Sequence, residues 1–177
     1  MKIVYVLFLV MLACNLKAQV LVMTDETTEI KFVARHLAGR LEGDFKGAKG
    51  TAKFDASNLS TSYFKLLFAA ATVTTNDNFV GPNLIKTECF NPAKYPNIEL
   101  SSSSFKKLQG QNEYQFTGQL KIKGKSKNIT FPMTVTQNAG GYDFKFAFSF
   151  LKKAFDLQCG AMGKDFKILV STYGKKS

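Results

Sequence analysis

Apolar and polar residues alternate along most of this chain, with a period of two. Tyr142, Phe144, Phe146, Phe148 and Phe150 stand at every second position, separated by Asp143, Lys145, Ala147 and Ser149. A β-strand places such a series on one face. Tyr114, Phe116, Gly118, Leu120 and Ile122 repeat the pattern, as do Ile129, Phe131, Met133 and Val135. Ile30, Phe32, Ala34 and His36 share a face, and so do Ala52, Phe54 and Ala56. Weaker strands are expected near 44–46, 66–75, 98–105 and 166–173. Pro132 falls on the outer face of its run, which predicts an edge, a bulge or a locally unpaired position. Gly39, Gly43, Gly47 and Gly50 punctuate the first third, Gly124 separates two alternating runs, and Asn138-Ala139-Gly140-Gly141 joins the next two. These are hairpin signals. Residues 76–96 have no clean period and carry Pro82, Pro92 and Pro96. They read as a long connection, with room for a short helix, draped over one end of the fold. About eight short strands at hairpin spacing predict an antiparallel barrel or sandwich.

The first residues carry a different pattern. Lys2 precedes an unbroken apolar run, Ile3 to Cys14, and small Ala18 stands before Gln19. Twelve residues are too few to cross about 30 Å of hydrocarbon. The arrangement is that of a secretory signal, residues 1–18, with a mature domain of residues 19–177. Leu12-Ala13-Cys14 offers a second processing route, lipid attachment at Cys14, although Met11 fits that pattern poorly. The expected location is therefore the periplasm or the outside of the cell.

Composition narrows the chemistry. A length of 177 residues fits one domain. Lys and Arg number 24 against 13 Asp and Glu, a formal charge of +11 that falls to +9 when Lys2 and Lys17 leave with the signal. Such a charge favours an anionic partner. Only Arg35 and Arg40 are arginines, so nucleic acid is not the expected one. Lys121, Lys123, Lys125 and Lys127 gather in one hairpin, where they are either solvated surface or a contact for an anionic membrane. One His and two well-separated mature cysteines, Cys89 and Cys159, give no zinc pattern. The cysteines are either a disulfide or two buried thiols. No nucleophile motif or phosphate loop occurs, and no cofactor is expected. Seventeen Phe in a chain without Trp point to an aromatic interior.

Four blocks, in order, resemble the YceI-like family. Phe32-Val33-Ala34-Arg35-His36-Leu37 followed by Gly43-Asp44-Phe45 is similar to its opening pattern. Thr74-Thr75-Asn76 with Asn83-Leu84 and Cys89-Phe90 resembles its central connection. Tyr95-Pro96-Asn97-Ile98-Glu99-Leu100-Ser101-Ser102 resembles the strand that follows, and GQLKIKGKSKNITFPMTV, residues 118–135, its hairpin. The departures are Gly81-Pro82, where the family often has Arg-Asp, and Lys152-Lys153 leading to Phe155-Asp156 near the C-terminus. The resemblance implies an all-β, eight-stranded antiparallel lipocalin-like barrel that is exported and holds a polyisoprenoid or other long-chain amphipath inside.

On that basis the expected ligand-binding residues are Phe32, His36, Phe45, Phe54, Leu84, Tyr95, Ile122, Phe144, Phe146 and Phe148. Asn83 is a weaker candidate at the same end as Tyr95. The aromatic stripe is core packing, cavity wall, or both. His36 is either a satisfied strand-end residue or a headgroup contact at the barrel mouth. The functional expectation is a carrier of an isoprenoid-type lipid or a quinone, not an enzyme, and a homodimer is compatible with it. The alternative is a filled barrel whose basic exterior binds an envelope partner.

Overall fold

The structure, a computed structural model, describes residues 19–36 and 39–177. The expected signal segment lies outside these residues, and so does the side chain of His36. Eleven strand segments form one sheet that closes on itself. They fall along eight staves. The first holds β1 (Leu21–Met23) and β2 (Thr28–His36), the second β3 (Gly39–Phe45) and β4 (Lys49–Lys53), and the third β5 (Tyr63–Ala69) and β6 (Thr74–Thr75). The other five are unbroken: β7 (Asn97–Lys107), β8 (Glu113–Ile122), β9 (Lys125–Asn138), β10 (Gly141–Leu151) and β11 (Met162–Lys176). Each stave pairs antiparallel with the next. β11 returns to the first, with Val22 opposite Lys175 and Ile30 opposite Val170. The chain forms an eight-stranded, up-and-down lipocalin-like barrel.

The alternation explains the closure. Phe144, Phe146, Phe148 and Phe150 are all buried, while Lys145 and Ser149 between them are exposed. Every stave supplies such a face, so closing the sheet buries one continuous apolar interior and pairs each stave with both of its neighbours over at least part of its length. Thr28 and Thr172 are the buried polar side chains among the described residues, and their hydroxyls bond each other at 2.7 Å.

Three expectations are refined. Gly43 and Gly50 lie within strands, not turns. At Gly43 an added Cβ would meet the Thr74 carbonyl oxygen at 2.0 Å and the Phe32 ring at 2.4 Å, so the wall packs too closely there for a side chain. Ala56 is exposed in the loop after β4, because the strand ends before it. The weak strand over 66–75 is broken by a 3-10 turn, Ala70–Thr72. That break lines up with two others, at 24–27 and 46–48, to form a crease across three staves. Side chains replace ladder bonds along it: Asp25 accepts from the Ala48 amide at 3.0 Å, and Thr72 from the Lys46 amide at 2.8 Å.

Pro132 marks a second interruption. It is exposed on β9, outward as expected. The β9–β10 ladder runs from Asn138 opposite Gly141 to Met133 opposite Phe146 and stops there. A proline has no amide hydrogen to continue it. Beyond it the first half of β9 and the last part of β10 run on without ladder bonds to each other. The hairpin at Lys123 and Gly124 has positive φ at both central residues, the geometry of a type I′ turn. The Tyr95 ring lies over Gly124, where a Cβ would come within 2.7 Å of it.

Candidate functional site

The interior is built from aromatic rings. Fifteen of the 16 phenylalanines among the described residues are buried, and they form two sets of touching rings. One set occupies the lower and middle barrel, away from the 76–96 connection. There Phe116, Phe131, Phe146 and Phe148 stack at 4.5–5.2 Å, tilted by 13–23°. Phe64 meets Phe116, Phe144 and Phe146, and Phe54 packs on Phe105, Tyr114 and Phe144. The other set lies under the connection: Phe45 contacts Phe32, Phe68 and Phe90, while Phe166 contacts Phe32, Phe90 and Phe150. Offset and edge-on rings attract by quadrupole as well as by area. No buried side-chain nitrogen or oxygen among the described residues lacks a partner. The interior therefore offers dispersion and apolar area, and nothing to hold a charge.

The 76–96 connection closes the upper end. Its short helix α1 (Gly81–Leu84), with Pro82 in the first turn, fits proline's fixed φ. Leu84 is fully buried, and Val80, Cys89 and Phe90 point inward with it. The far half is stapled down. Cys89 and Cys159 form a disulfide, so of the two readings of these cysteines the bond is the one found. The Gln158 amide donates to the Glu88 carbonyl at 2.8 Å. Lys123 Nζ donates to the carbonyls of Glu88 at 2.8 Å and Asp156 at 3.2 Å. Lys125 bonds the Asp156 carboxylate, and this contact holds that carboxyl below its ordinary range. Lys121 pairs with Glu99 at 3.1 Å. Three of the four hairpin lysines thus have protein partners. Lys152 donates to the Met162 carbonyl at 2.6 Å, and partial burial pushes its ammonium down.

The wall opens where the β9–β10 ladder stops. A cleft of about 170 Å³ lies in this seam, lined by Leu120, Lys127, Ile129, Phe150 and Phe155. Phe155 comes from a 3-10 turn, Lys152–Phe155, and stands edge-on to Phe150 at 5.4 Å. The seam connects the surface with the upper aromatic set. Larger spaces are open grooves on the outside. One of about 740 Å³ lies over the creased wall beside Val22, Thr51, Leu67 and Glu99. Another, of about 530 Å³, lies beside Leu151, Lys153, Leu157 and Lys164.

The residues singled out from sequence fall in distinct places. Phe32 and Phe45 are in the upper set, while Phe54, Phe144, Phe146 and Phe148 are in the lower. Leu84 is inside the closing connection and Ile122 is buried at the end of β8. Tyr95 is half-buried against the β8–β9 turn, and Asn83 is exposed, with its amide on the Phe79 carbonyl at 2.9 Å. Sequence reasoning did not select Phe116, Phe131 and Phe166, although their alternation carried the signal. It also missed Phe90 and Phe155, which sit in segments without periodicity.

Comparison with known proteins places this architecture. The family model described as "YceI-like domain" matches residues 22–173. Protein YceI of Escherichia coli O6:H1 is 31% identical over 102 residues, 57% of this chain and 52% of that protein. Its counterpart from Salmonella newport is 33% identical over the same length. The chain spans about half the length of the curated relatives it matches. Among solved structures, Burkholderia cenocepacia BcnA superposes with a TM-score of 0.78 at 23% identity, covering 85% of this chain and 98% of that one. A polyisoprenoid binding domain from Saccharophagus degradans, implicated in plant cell wall breakdown, superposes at 0.71 and 10% identity, covering 91% and 100%. These two likenesses are of fold. By the extent of the family match, the chain belongs to the YceI-like family.

Proposed function

We propose that this chain is an exported binding protein that holds an isoprenoid-type or other long apolar chain inside the barrel, a quinone included. The observation that carries the reading is the interior itself: fifteen buried phenylalanines and no unpartnered buried polar side chain among the described residues. Such a lining gains from apolar contact at roughly 25 cal/mol per Å² and asks for no particular headgroup. Family membership and the fold shared with a polyisoprenoid binding domain support the ligand class. The β9–β10 seam is the entry this reading uses. An entering chain would displace the rings of Phe150 and Phe155, with no ladder bonds between the two strands to break there.

A specific observation favours the second reading. The rings already touch, at 4.5–6.4 Å between centroids, so a barrel that keeps this packing is a filled interaction module with a basic exterior. Native mass spectrometry of protein purified from its host without detergent, followed by organic extraction, decides between them. A stoichiometric apolar adduct is expected. Bare protein from a host that makes isoprenoids would favour the filled barrel. The intact mass also tests export. A chain beginning at Gln19 fits the cut after Ala18, and a lipid on Cys14 would replace it. The Cys89–Cys159 bond supports export, because disulfides persist in oxidising compartments.

A further inference from the structure

Phe79 departs from every other described phenylalanine. It is 88% exposed, while the fifteen others are buried. It stands at the tip of the turn before α1, fixed there by the Asp77 carboxylate, which accepts from the amides of Phe79 at 2.8 Å and Val80 at 3.2 Å. Ile85, just past α1, is also exposed, at 43%. A groove of about 440 Å³ beside Val73, Pro82 and Ile85 extends the apolar surface. A side chain of this size exposed in water forgoes the burial that phenylalanine ordinarily obtains.

The chain's two arginines stand at the same end of the barrel. Arg35 and Arg40 are direct cross-strand partners at the end of the β2–β3 hairpin, and both are exposed. Like charges placed opposite each other weaken a sheet, a cost that Glu42 offsets in part at Arg40 and that an external anion would offset further. This end is pinned by two bonds. The Glu42 amide donates to Asn76 Oδ1 at 3.0 Å, and the Asn76 amide to the Glu42 carbonyl at 2.9 Å. Arg40 is two residues from Glu42, and Phe79 three from Asn76. Glu42 also pairs with Arg40, through Nε. The turns of this barrel end (35–42, 76–96, 123–125 and 151–165) carry nine Lys or Arg and five Asp or Glu. Those of the opposite end (53–63, 107–113, 138–143 and 174–177) carry four and three.

We propose that this end of the barrel docks on an anionic phospholipid bilayer, with Phe79 among the acyl chains and Arg35 and Arg40 on the phosphates. A protruding aromatic surrounded by cations suits the interfacial layer, where apolar area and surface charge add. One phenylalanine and one isoleucine fall short of a protein interface of about 800 Å² per partner. The inference goes beyond what the barrel holds and does not depend on it.

The chain has no Trp, so Phe79→Trp makes residue 79 the only indole. Its emission is expected to shift to the blue on vesicles of equal phosphatidylcholine and phosphatidylglycerol, and not on phosphatidylcholine alone. In co-sedimentation with the mixed vesicles, Phe79→Ser is expected to lose at least about ten-fold in partition, or about 1.4 kcal/mol. Arg35→Gln with Arg40→Gln is expected to lose about thirty-fold, each cation near the surface counting about 1 kcal/mol. Indole emission unmoved by either vesicle, or equal partition of the parent chain into both, would overturn the proposal. So would a dimer in sedimentation that Phe79→Ser dissolves, because the occupant would then be a second copy. Native mass spectrometry of the same variants keeps the two ideas apart, since docking can fail while the internal adduct persists.

Discussion

The two aromatic sets are equally buried but differently held. The lower set hangs mainly on unbroken staves. Phe116, Phe131, Phe146 and Phe148 come from β8, β9 and β10, and stack nearly parallel across them. Ladder bonds fix where each ring stands, even at the rim of the seam, where Phe131 is held by β8 and Phe148 by β11. The upper set takes Phe90 from a loop and Phe155 from a single 3-10 turn. The wall around it is interrupted by the crease capped by Asp25 and Thr72, and by the seam beyond Pro132. Lysine-to-carbonyl bonds and a disulfide stand in for backbone pairing. Regions that rest on few ladder bonds open at lower free energy than the ladders themselves. The lower set is therefore the better-anchored part of the interior, and the upper end is the part expected to open first.

The contrast can be broken by mutation. Phe131→Ala removes the ring that touches Phe116, Phe146 and Phe148. A loss of about 3–5 kcal/mol is expected in urea unfolding, the usual range for a buried Phe that leaves a cavity. Cys89→Ser with Cys159→Ser removes a link across a sequence separation of 70 residues. The expected loss is about 2–4 kcal/mol, because a long loop in the unfolded chain is released. Hydrogen exchange sharpens the comparison. In the serine variant the amides of Phe90 and Gln158 should lose protection first, while those of Phe116 and Phe131 keep theirs. Equal loss at all four would make the two sets one cooperative unit and remove the distinction.

The regularly built half was legible in the sequence. From Tyr114 to Phe150 the period of two named the inward residues, and Gly124 and Asn138 to Gly141 marked the turns. Pro132 announced an interruption, and the ladder does stop there. The upper end was harder to read because its bonds join residues far apart in the chain. Nothing near Asp25 indicates that its carboxylate will cap Ala48, and nothing near Lys123 indicates the carbonyls of Glu88 and Asp156. The hairpin lysines illustrate this. As a string of charges they read as solvated surface or as a contact for an anionic membrane, whereas in three dimensions three of them have partners within the protein. The placing of Phe79, Arg35 and Arg40 at one barrel end was equally hidden, since the β3–β6 pairing and the Glu42–Asn76 bonds join segments far apart in the chain.

The smallest expected effect is the most specific to the upper end. Lys125 holds the Asp156 carboxyl below its ordinary pKa, first by direct bonding and then by charge, with Lys123 and Lys127 adding to it. A carboxyl depressed in the folded state favours folding above its unfolded value of about 3.9. That contribution fades as the pH falls through the still lower folded value. The pair is exposed, so global stability should hardly register the change. The nearby Gln158 amide should register it, because it bonds Glu88 in the stapled loop. Its protection, corrected for intrinsic exchange, should hold from neutral pH down to about 4 and decline below that. In Asp156→Asn, which carries no charge to lose, the same profile should be flat and begin from the lower level. A decline of the same size in that variant would assign the acid sensitivity to another carboxylate and leave the disulfide as the tie that matters.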